Sequence, residues 1–579
     1  MILALPASTY ARNRARLRRM EWSGLDPATI VFAALLVLGI VLVLRETRGL
    51  SFFGDEWDFV VDRRGLSPST LLRPHGPHLV LIPILIYKVL LQLFGASSYL
   101  PFRMLAAIDL VLVAVVLGVI CRRLWGKWWG LVPVLLLVTL GPGGISILWP
   151  FQTGYAISVA AGLVSLVALG RPGRWPDFIA CVALLVSLAC GSQGLGFIVG
   201  AAVVLALRGD WRPRAWVVLV PAVLYGLWYL KYGHQASETY LSLWGGSLVY
   251  VMQGIAATLG GVSGLSSVSP QTGLLDVSFG DPLALAAVAL VVVALSRGWR
   301  PPPLFWGVLA TAIALWLAAS LSNSAAFPRP AQDPRYLSSN AVLLLLCLCL
   351  AVPRPRLTVA GTAAVAIVLI VIAATNASQF AEARTSMEAS DQASRAELGA
   401  LLILRGLVGP SFSPDQPGLN GVLVNVTAGP FFSAVDSFGI IADSPAQLFD
   451  LNQATGQGID EELQRGEMIS LSYGALPAAT ATAPPYVVFG SARRDGNCLV
   501  LESHPVVMRA PAGTYGFAAA GRTPLTVRLG RFSDAFGIQL GQVTAGRTAI
   551  ARVPADRAPQ FPWRMLLTGN GDRVCQLAS

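Results

Sequence analysis

Ile30-Val31-Phe32-Ala33-Ala34-Leu35-Leu36-Val37-Leu38-Gly39-Ile40-Val41-Leu42-Val43-Leu44 is closed by Arg45-Glu46-Thr47-Arg48, and Phe52-Phe53-Gly54-Asp55-Glu56-Trp57-Asp58-Phe59 follows almost at once. With its flanks, the first run approaches the roughly 17 to 25 residues that a helix needs to cross a bilayer. Comparable runs recur from residue 28 to about residue 375 and then stop. The 579-residue chain is 54% hydrophobic and 13% charged, whereas soluble domains carry about 25% charged residues. The pattern predicts a polytopic α-helical membrane protein with a water-soluble C-terminal tail.

Arg12, Arg14, Arg16, Arg18 and Arg19 precede the first run as they would in a signal peptide, but no small-residue cleavage pattern follows it. The run therefore reads as a retained anchor behind a basic cytoplasmic N-terminus, residues 1–27. The net charge of +11 is spread in short clusters between apolar segments. No single basic face suited to nucleic acid arises, and a lipid bilayer with the clusters on its cytoplasmic side explains them better.

Arg122-Arg123/Lys127, Arg171/Arg174, Arg208/Arg212/Arg214, Arg297/Arg300 and Arg354/Arg356 all fall inside if the stretches 79–95 and 241–262 do not fully cross. The first would lie in the outer interface or re-enter from it, its polar backbone covered by protein or water. The second carries Gly245, Gly246, Gly254, Gly260 and Gly261. About eleven spans remain, near 28–45, 102–121, 129–141, 153–170, 178–190, 193–207, 215–231, 282–296, 304–320, 338–352 and 358–375. This places a transmembrane domain at 28–375, with interfacial helices in an outer loop at 46–101, and a helical linker at 376–410.

Residues 411–579 form the expected extracytoplasmic β-rich domain. Val422-Leu423-Val424-Asn425-Val426, Tyr486-Val487-Val488-Phe489 and Leu525-Thr526-Val527-Arg528-Leu529 alternate or are β-rich between Gly, Pro and Asp-Gly turns, as in a β-sandwich. Cys498 and Cys575 are the cysteines of this tail, and an oxidising compartment favours a disulfide between them. Cys121, Cys181, Cys190, Cys347 and Cys349 lie in or beside apolar helices, where a thiol behaves as a small hydrophobe.

Asp55, Glu56 and Asp58 stand among aromatic residues at the membrane surface. A partly desolvated carboxylate there suits proton abstraction from a hydroxyl, and rings such as Trp57 suit stacking on a sugar. The ordinary alternative is a solvated loop beside an interfacial aromatic belt. Arg73-Pro74-His75-Gly76-Pro77-His78 follows, ahead of Tyr87-Lys88. Cations and hydrogen-bond donors of this kind stabilise a departing phosphate. His75 and His78 also leave room for a divalent cation, although His-x-x-His without a further partner is a weak metal signal, and no cofactor is required.

Trp149-Pro150-Phe151-Gln152 and Gly191-Ser192-Gln193-Gly194 fall at outer ends of spans, where Gln152 or Gln193 would meet sugar hydroxyls or serve as helix caps and interhelical contacts. Arg335-Tyr336 lies at the lip of a late span, placed to pair with a lipid phosphate or to snorkel to the interface. Arg103, just inside the second span, defies the positive-inside preference and demands a partner.

This arrangement resembles the GT-C superfamily of membrane glycosyltransferases, which includes protein mannosyltransferases and lipid A aminoarabinose transferases. In that superfamily an acidic motif follows the first span, interfacial helices build the first outer loop, an Arg begins the second span and an Arg-Tyr pair lies near a late one. Here these match Asp55-Glu56, residues 62–95, Arg103 and Arg335-Tyr336. The segment Pro74 to His78, with Ile82-Pro83, Leu93-Phe94-Gly95 and Tyr99-Leu100-Pro101, looks like a bacterial subgroup in which Asn-Glu often separates the two histidines. Gly76-Pro77 stands there instead, so no acid role transfers to that place.

The resemblance covers about residues 28–375 and implies inverting transfer from a polyprenyl-phosphate sugar donor to a glycan or glycolipid acceptor, on the outer face of a bacterial plasma membrane. It makes Asp55 the base, with Glu56 and Asp58 positioning base or acceptor. Arg103, Arg335, His75 and His78 would hold the phosphate. A lipid-linked-glycan transporter or flippase, or a non-catalytic envelope-assembly scaffold, are the competing classes. Transporters often show repeated halves and broken helices, and the sequence shows no internal repeat.

Overall fold

The structure, a computed structural model, describes residues 26–236, 239–324, 328–414, 423, 426–476, 481–502 and 505–578. The basic N-terminal run lies outside the described residues, as does the strand expected at 422–426 apart from Leu423 and Val426.

Eight helices among the described residues are long and apolar enough to cross a membrane, or nine if one bent pair counts as a single span. The sequence leads to about eleven. Arg174–Cys190, Gln193–Arg208 and Gly280–Ser296 are helices of 17, 16 and 17 residues, about 25 Å long against a hydrocarbon core of about 30 Å. The span expected at 129–141 is instead two pieces, Trp129–Val138 and Gly141–Leu148, bent by 48°. Leu243–Ser263, expected not to cross, is long and apolar enough to do so. Its glycines do not break it, because they are contact points: Gly254 lies against the Trp316 indole and Gly261 against Leu337.

The described chain divides into two compact units. One gathers the described residues of Met1–Arg48, Leu72–Pro83 and Arg103–Arg384, and the other those of Gly49–Leu71, Ile84–Phe102 and Thr385–Ser579. Most of the loop 46–101 thus folds with the C-terminal part of the chain.

Small residues let the helices of the first unit approach closely, as membrane helices require in the absence of a hydrophobic drive between them. A side chain at Gly200 on Gln193–Arg208 would strike Thr311 and the Gly307 backbone on Pro303–Leu321. Between Thr153–Leu169 and Arg174–Cys190, Ser158 and Ser187 lie 2.8 Å apart through their hydroxyls, and each also donates to the other's carbonyl. Arg214, read as one of the cytoplasmic cluster, is buried against Asp177 at 2.6 Å and the Leu169 carbonyl at 3.1 Å.

Among the described residues of the second unit the first strand begins at Leu471. Ala428–Phe438, Pro445–Phe449 and Gln453–Glu467 are helices within the region expected to be β-rich. Ser444 and Gln447 form a reciprocal cap on the second of these, and the Asn452 side chain accepts from Thr455 at the start of the third. The strands are β1 (Leu471–Tyr473), β2 (Ala481–Ala483), β3 (Val487–Phe489), β4 (Ala492–Asp495), β5 (Cys498–Leu501), β6 (Val506–Ala510), β7 (Gly513–Ala518), β8 (Leu525–Gly530), β9 (Ile538–Val543), β10 (Thr548–Val553), β11 (Trp563–Thr568) and β12 (Arg573–Leu577). They make two antiparallel sheets, β1-β10-β7-β12-β5-β4 with β2 beside β12, and β3-β6-β11-β8-β9.

Alternation sorts the faces: Leu525, Val527 and Leu529 of β8 point into a core shared by both sheets, while Arg528 points out. Cys498 and Cys575 are cross-strand partners and form a disulfide. Arg531 is buried with Glu467 at 3.1 Å and with Asp556, and Trp563 donates to Glu467 at 2.9 Å. Asp460 accepts the backbone N–H groups of Arg531, Phe532 and Ser533 at 2.8 to 3.1 Å, fastening the Gln453–Glu467 helix to the sandwich.

Candidate functional site

In the second unit the three acids of the first loop have different fates. Glu56 is 0% exposed. Tyr87 donates to its Oε1 at 2.6 Å, Tyr99 to its Oε2 at 2.9 Å, and the Phe53 N–H to Oε2 at 3.3 Å. Three donors satisfy a carboxylate that would otherwise be costly to bury. Aromatic rings close around it, with Phe52 at 4.8 Å from Tyr99 and 4.7 Å from Phe102, and Tyr87 at 5.1 Å from Phe102.

Asp58 is also buried, and the buried Arg63 guanidinium meets it at 2.7 Å across a single π-helical turn, Asp58–Asp62. Lys88 donates to the Arg63 carbonyl, and burial together with the charges of Arg63 and Arg64 lowers its ammonium pKa. Trp57, expected to stack on a sugar, is fully enclosed beside Phe52, so its ring offers no face to a ligand. Asp55 is the acid of the cluster that stays half-buried. The turn carrying it is anchored by the Ser51 N–H, which donates to Asp391 at 2.7 Å.

In the first unit, His75 and His78 exchange backbone hydrogen bonds at 3.0 Å each way across a tight turn. Gly76 sits in that turn at φ +50°, a conformation that favours glycine. The His75 ring packs edge-on to Phe151 at 5.2 Å, and Phe151 lies 4.9 Å from Trp149. His78 Nδ1 is 2.6 Å from the Ser192 hydroxyl. Arg73 is half-buried at the start of this segment.

Arg103 finds the partners its position demands. Its guanidinium donates to Thr47 at 3.0 Å and to the Leu44 carbonyl, closing the C-terminal end of Pro27–Glu46. Arg335 pairs with Asp333 at 2.6 Å, its side chain remains 44% exposed, and its guanidinium lies 5.9 Å from the Tyr336 ring. Ser146 and Ser338, hydroxyl to hydroxyl at 2.8 Å, join the helix leading to Trp149 and Gln152 to the one that begins after Tyr336. Gln152 is buried and lines a cavity with Asp109.

Asp55, Glu56, Trp57 and Asp58 thus belong to one unit, and Arg73, His75, His78, Arg103, Gln152, Arg335 and Tyr336 to the other. Among the described residues no group of three or more His, Cys, Asp or Glu is placed to hold a metal ion. The sequence reading overlooks Tyr87 and Tyr99 as partners of Glu56, and Ser192 as the partner of His78. It also overlooks Asp109, a lone acid inside an apolar run and therefore visible.

No family model matches the chain, and no curated protein matches it. Among solved structures the chain is similar to ArnT from Cupriavidus metallidurans bound to undecaprenyl phosphate, with a TM-score of 0.43 and 14% identity, covering 76% of this chain and 87% of that one. It is also similar to the arabinosyltransferase EmbB from Mycobacterium smegmatis, with a TM-score of 0.32 and 10% identity, covering 100% of this chain and 66% of that one.

Proposed function

We propose that this multi-pass protein is a GT-C-type glycosyltransferase. It moves a sugar from a polyprenyl-phosphate donor to a cell-envelope glycan or lipid acceptor, at the outer face of a bacterial plasma membrane. In this reading the N-terminus is cytoplasmic and the β-sandwich extracytoplasmic. The observation that carries the proposal is the sorting of the acids: Glu56 and Asp58 are buried on hydrogen-bonding or ion-pairing partners, whereas Asp55 is half-buried on a turn tied down through Ser51. A general base needs this combination of fixed position and access.

In the reaction the acceptor oxygen attacks the anomeric carbon as its proton passes to Asp55. The bond from that carbon to the phosphate oxygen breaks with inversion, and its electron pair leaves with the lipid phosphate. The departing lipid phosphate needs hydrogen bonds and positive charge, which are worth most where water is partly excluded. Arg103 anchors the end of the first span, and no metal is needed for these steps.

The broken helix Trp129–Leu148 favours a second reading, transport of a lipid-linked glycan. Purified protein incubated with a panel of polyprenyl-phosphate sugars separates the two. Release of free lipid phosphate with any donor supports transfer. No release with the whole panel, together with movement of a lipid-linked glycan across proteoliposomes, overturns it in favour of transport.

A further inference from the structure

Asp109 is a buried carboxylic acid inside the helical bundle. It lies nine residues into the helix Leu100–Trp125, about 14 Å from its start and so near the middle of a hydrocarbon core of about 30 Å. It is 7% exposed, and Thr153 donates to its Oδ1 at 3.1 Å. No basic side chain pairs with it among the described residues. A carboxylate at such depth faces a cavity or a partner, because the charge is costly to leave in an apolar surrounding.

Asp109 opens on a cavity of about 40 Å³ whose wall includes the polar side chains of Ser146, Gln152, Ser338 and Ser339. One ordered water needs about 10 to 15 Å³ on this measure, so the volume admits a small ion with little accompanying water. The wall also includes Leu137 and Ser146, one from each half of the helix pair bent by 48°. Interrupted helices of this kind survive at membrane depth where their freed backbone lines a cavity, and there they commonly face an ion. The deep acid and the helix break are separate observations that meet at one place.

We propose that this cavity is a binding site for one monovalent alkali cation, with Asp109 as its charged ligand and neighbouring hydroxyl and amide oxygens as neutral ones. One carboxylate balances one positive charge. The oxygen-only donor set suits a hard cation, whereas calcium sites gather several carboxylates and zinc sites gather His and Cys. The proposal is independent of whether the protein transfers sugars.

The test is equilibrium binding of radioactive sodium to the full-length protein in nanodiscs prepared in choline chloride. Saturable binding, displaced by unlabelled sodium, potassium or lithium chloride and weakened about tenfold or more by Asp109→Asn, is the expected result. Thermal unfolding at constant ionic strength should show a saturable rise in midpoint of about 2 to 4 °C with the alkali salt, absent in Asp109→Asn. If that variant does not fold, Thr153→Val replaces it and should weaken binding. Absence of saturable sodium binding to the wild-type protein overturns the proposal, as does unchanged binding in a folded Asp109→Asn protein.

Discussion

Tyr99 donates its phenolic hydrogen to Glu56 Oε2 across 2.9 Å, from a position 43 residues further along the chain. With Tyr87, 31 residues away, it fixes the residue next to Asp55. Tyr99→Phe removes one donor from a fully buried carboxylate at a cost of about 1 to 3 kcal/mol. The double variant Tyr87→Phe/Tyr99→Phe should lose more than either single change. Thermal unfolding of the purified protein measures this loss, and transfer activity should fall with it.

Asp55→Asn should behave in the opposite way. Asp55 is only half-buried, so the unfolding midpoint should stay within a degree or two of the wild type, about 0.5 kcal/mol. Turnover should drop by about 10² to 10⁴-fold, the usual contribution of a positioned base. Unchanged turnover in membranes with normal insertion rules Asp55 out as the base.

Burial pushes the Asp460 carboxyl up to about 6 from an ordinary 3.8, against the lowering effect of its three backbone N–H partners. Between these two values the folded chain binds the proton more tightly than the unfolded one. The Asp460 contribution to stability is therefore complete below about pH 4 and falls away as the pH rises through 6, by roughly 3 kcal/mol in all. Asp460→Asn should flatten the pH dependence of unfolding between pH 4 and 7. An identical slope in wild type and variant contradicts the assignment.

Reduction of the Cys498–Cys575 disulfide frees a loop with a sequence separation of 77. Loop-closure entropy alone sets the expected loss at about 4.5 kcal/mol. The double variant Cys498→Ser/Cys575→Ser should unfold at a lower denaturant concentration, and added reductant should not shift it further.

The elements visible in the sequence are those set by local periodicity. The runs at 28–45 and 304–320 become Pro27–Glu46 and Pro303–Leu321, and Leu525 to Leu529 becomes a strand buried on alternate positions. The acid cluster is visible as well, but which of its members stays accessible is not. That choice rests on Tyr87, Tyr99 and Arg63, whose meeting depends on how distant segments fold together. Glycines mislead when their role is contact: the glycine-bearing stretch 241–262 is expected from the sequence not to cross, yet Gly254 and Gly261 receive Trp316 and Leu337. Arg103 is legible as a cation in need of partners, although these turn out to be Thr47 and the Leu44 carbonyl.

The bond from the Ser51 N–H to Asp391 joins residues 340 positions apart. At about 5 to 20 residues per second, the ribosome takes roughly 20 to 70 s to make the chain between them. Throughout that interval the newly made turn around Asp55 lacks this anchor. Maturation of the acid cluster is thus gated by completion of the polypeptide, and a nascent chain halted before residue 385 should carry this turn in an unfinished form.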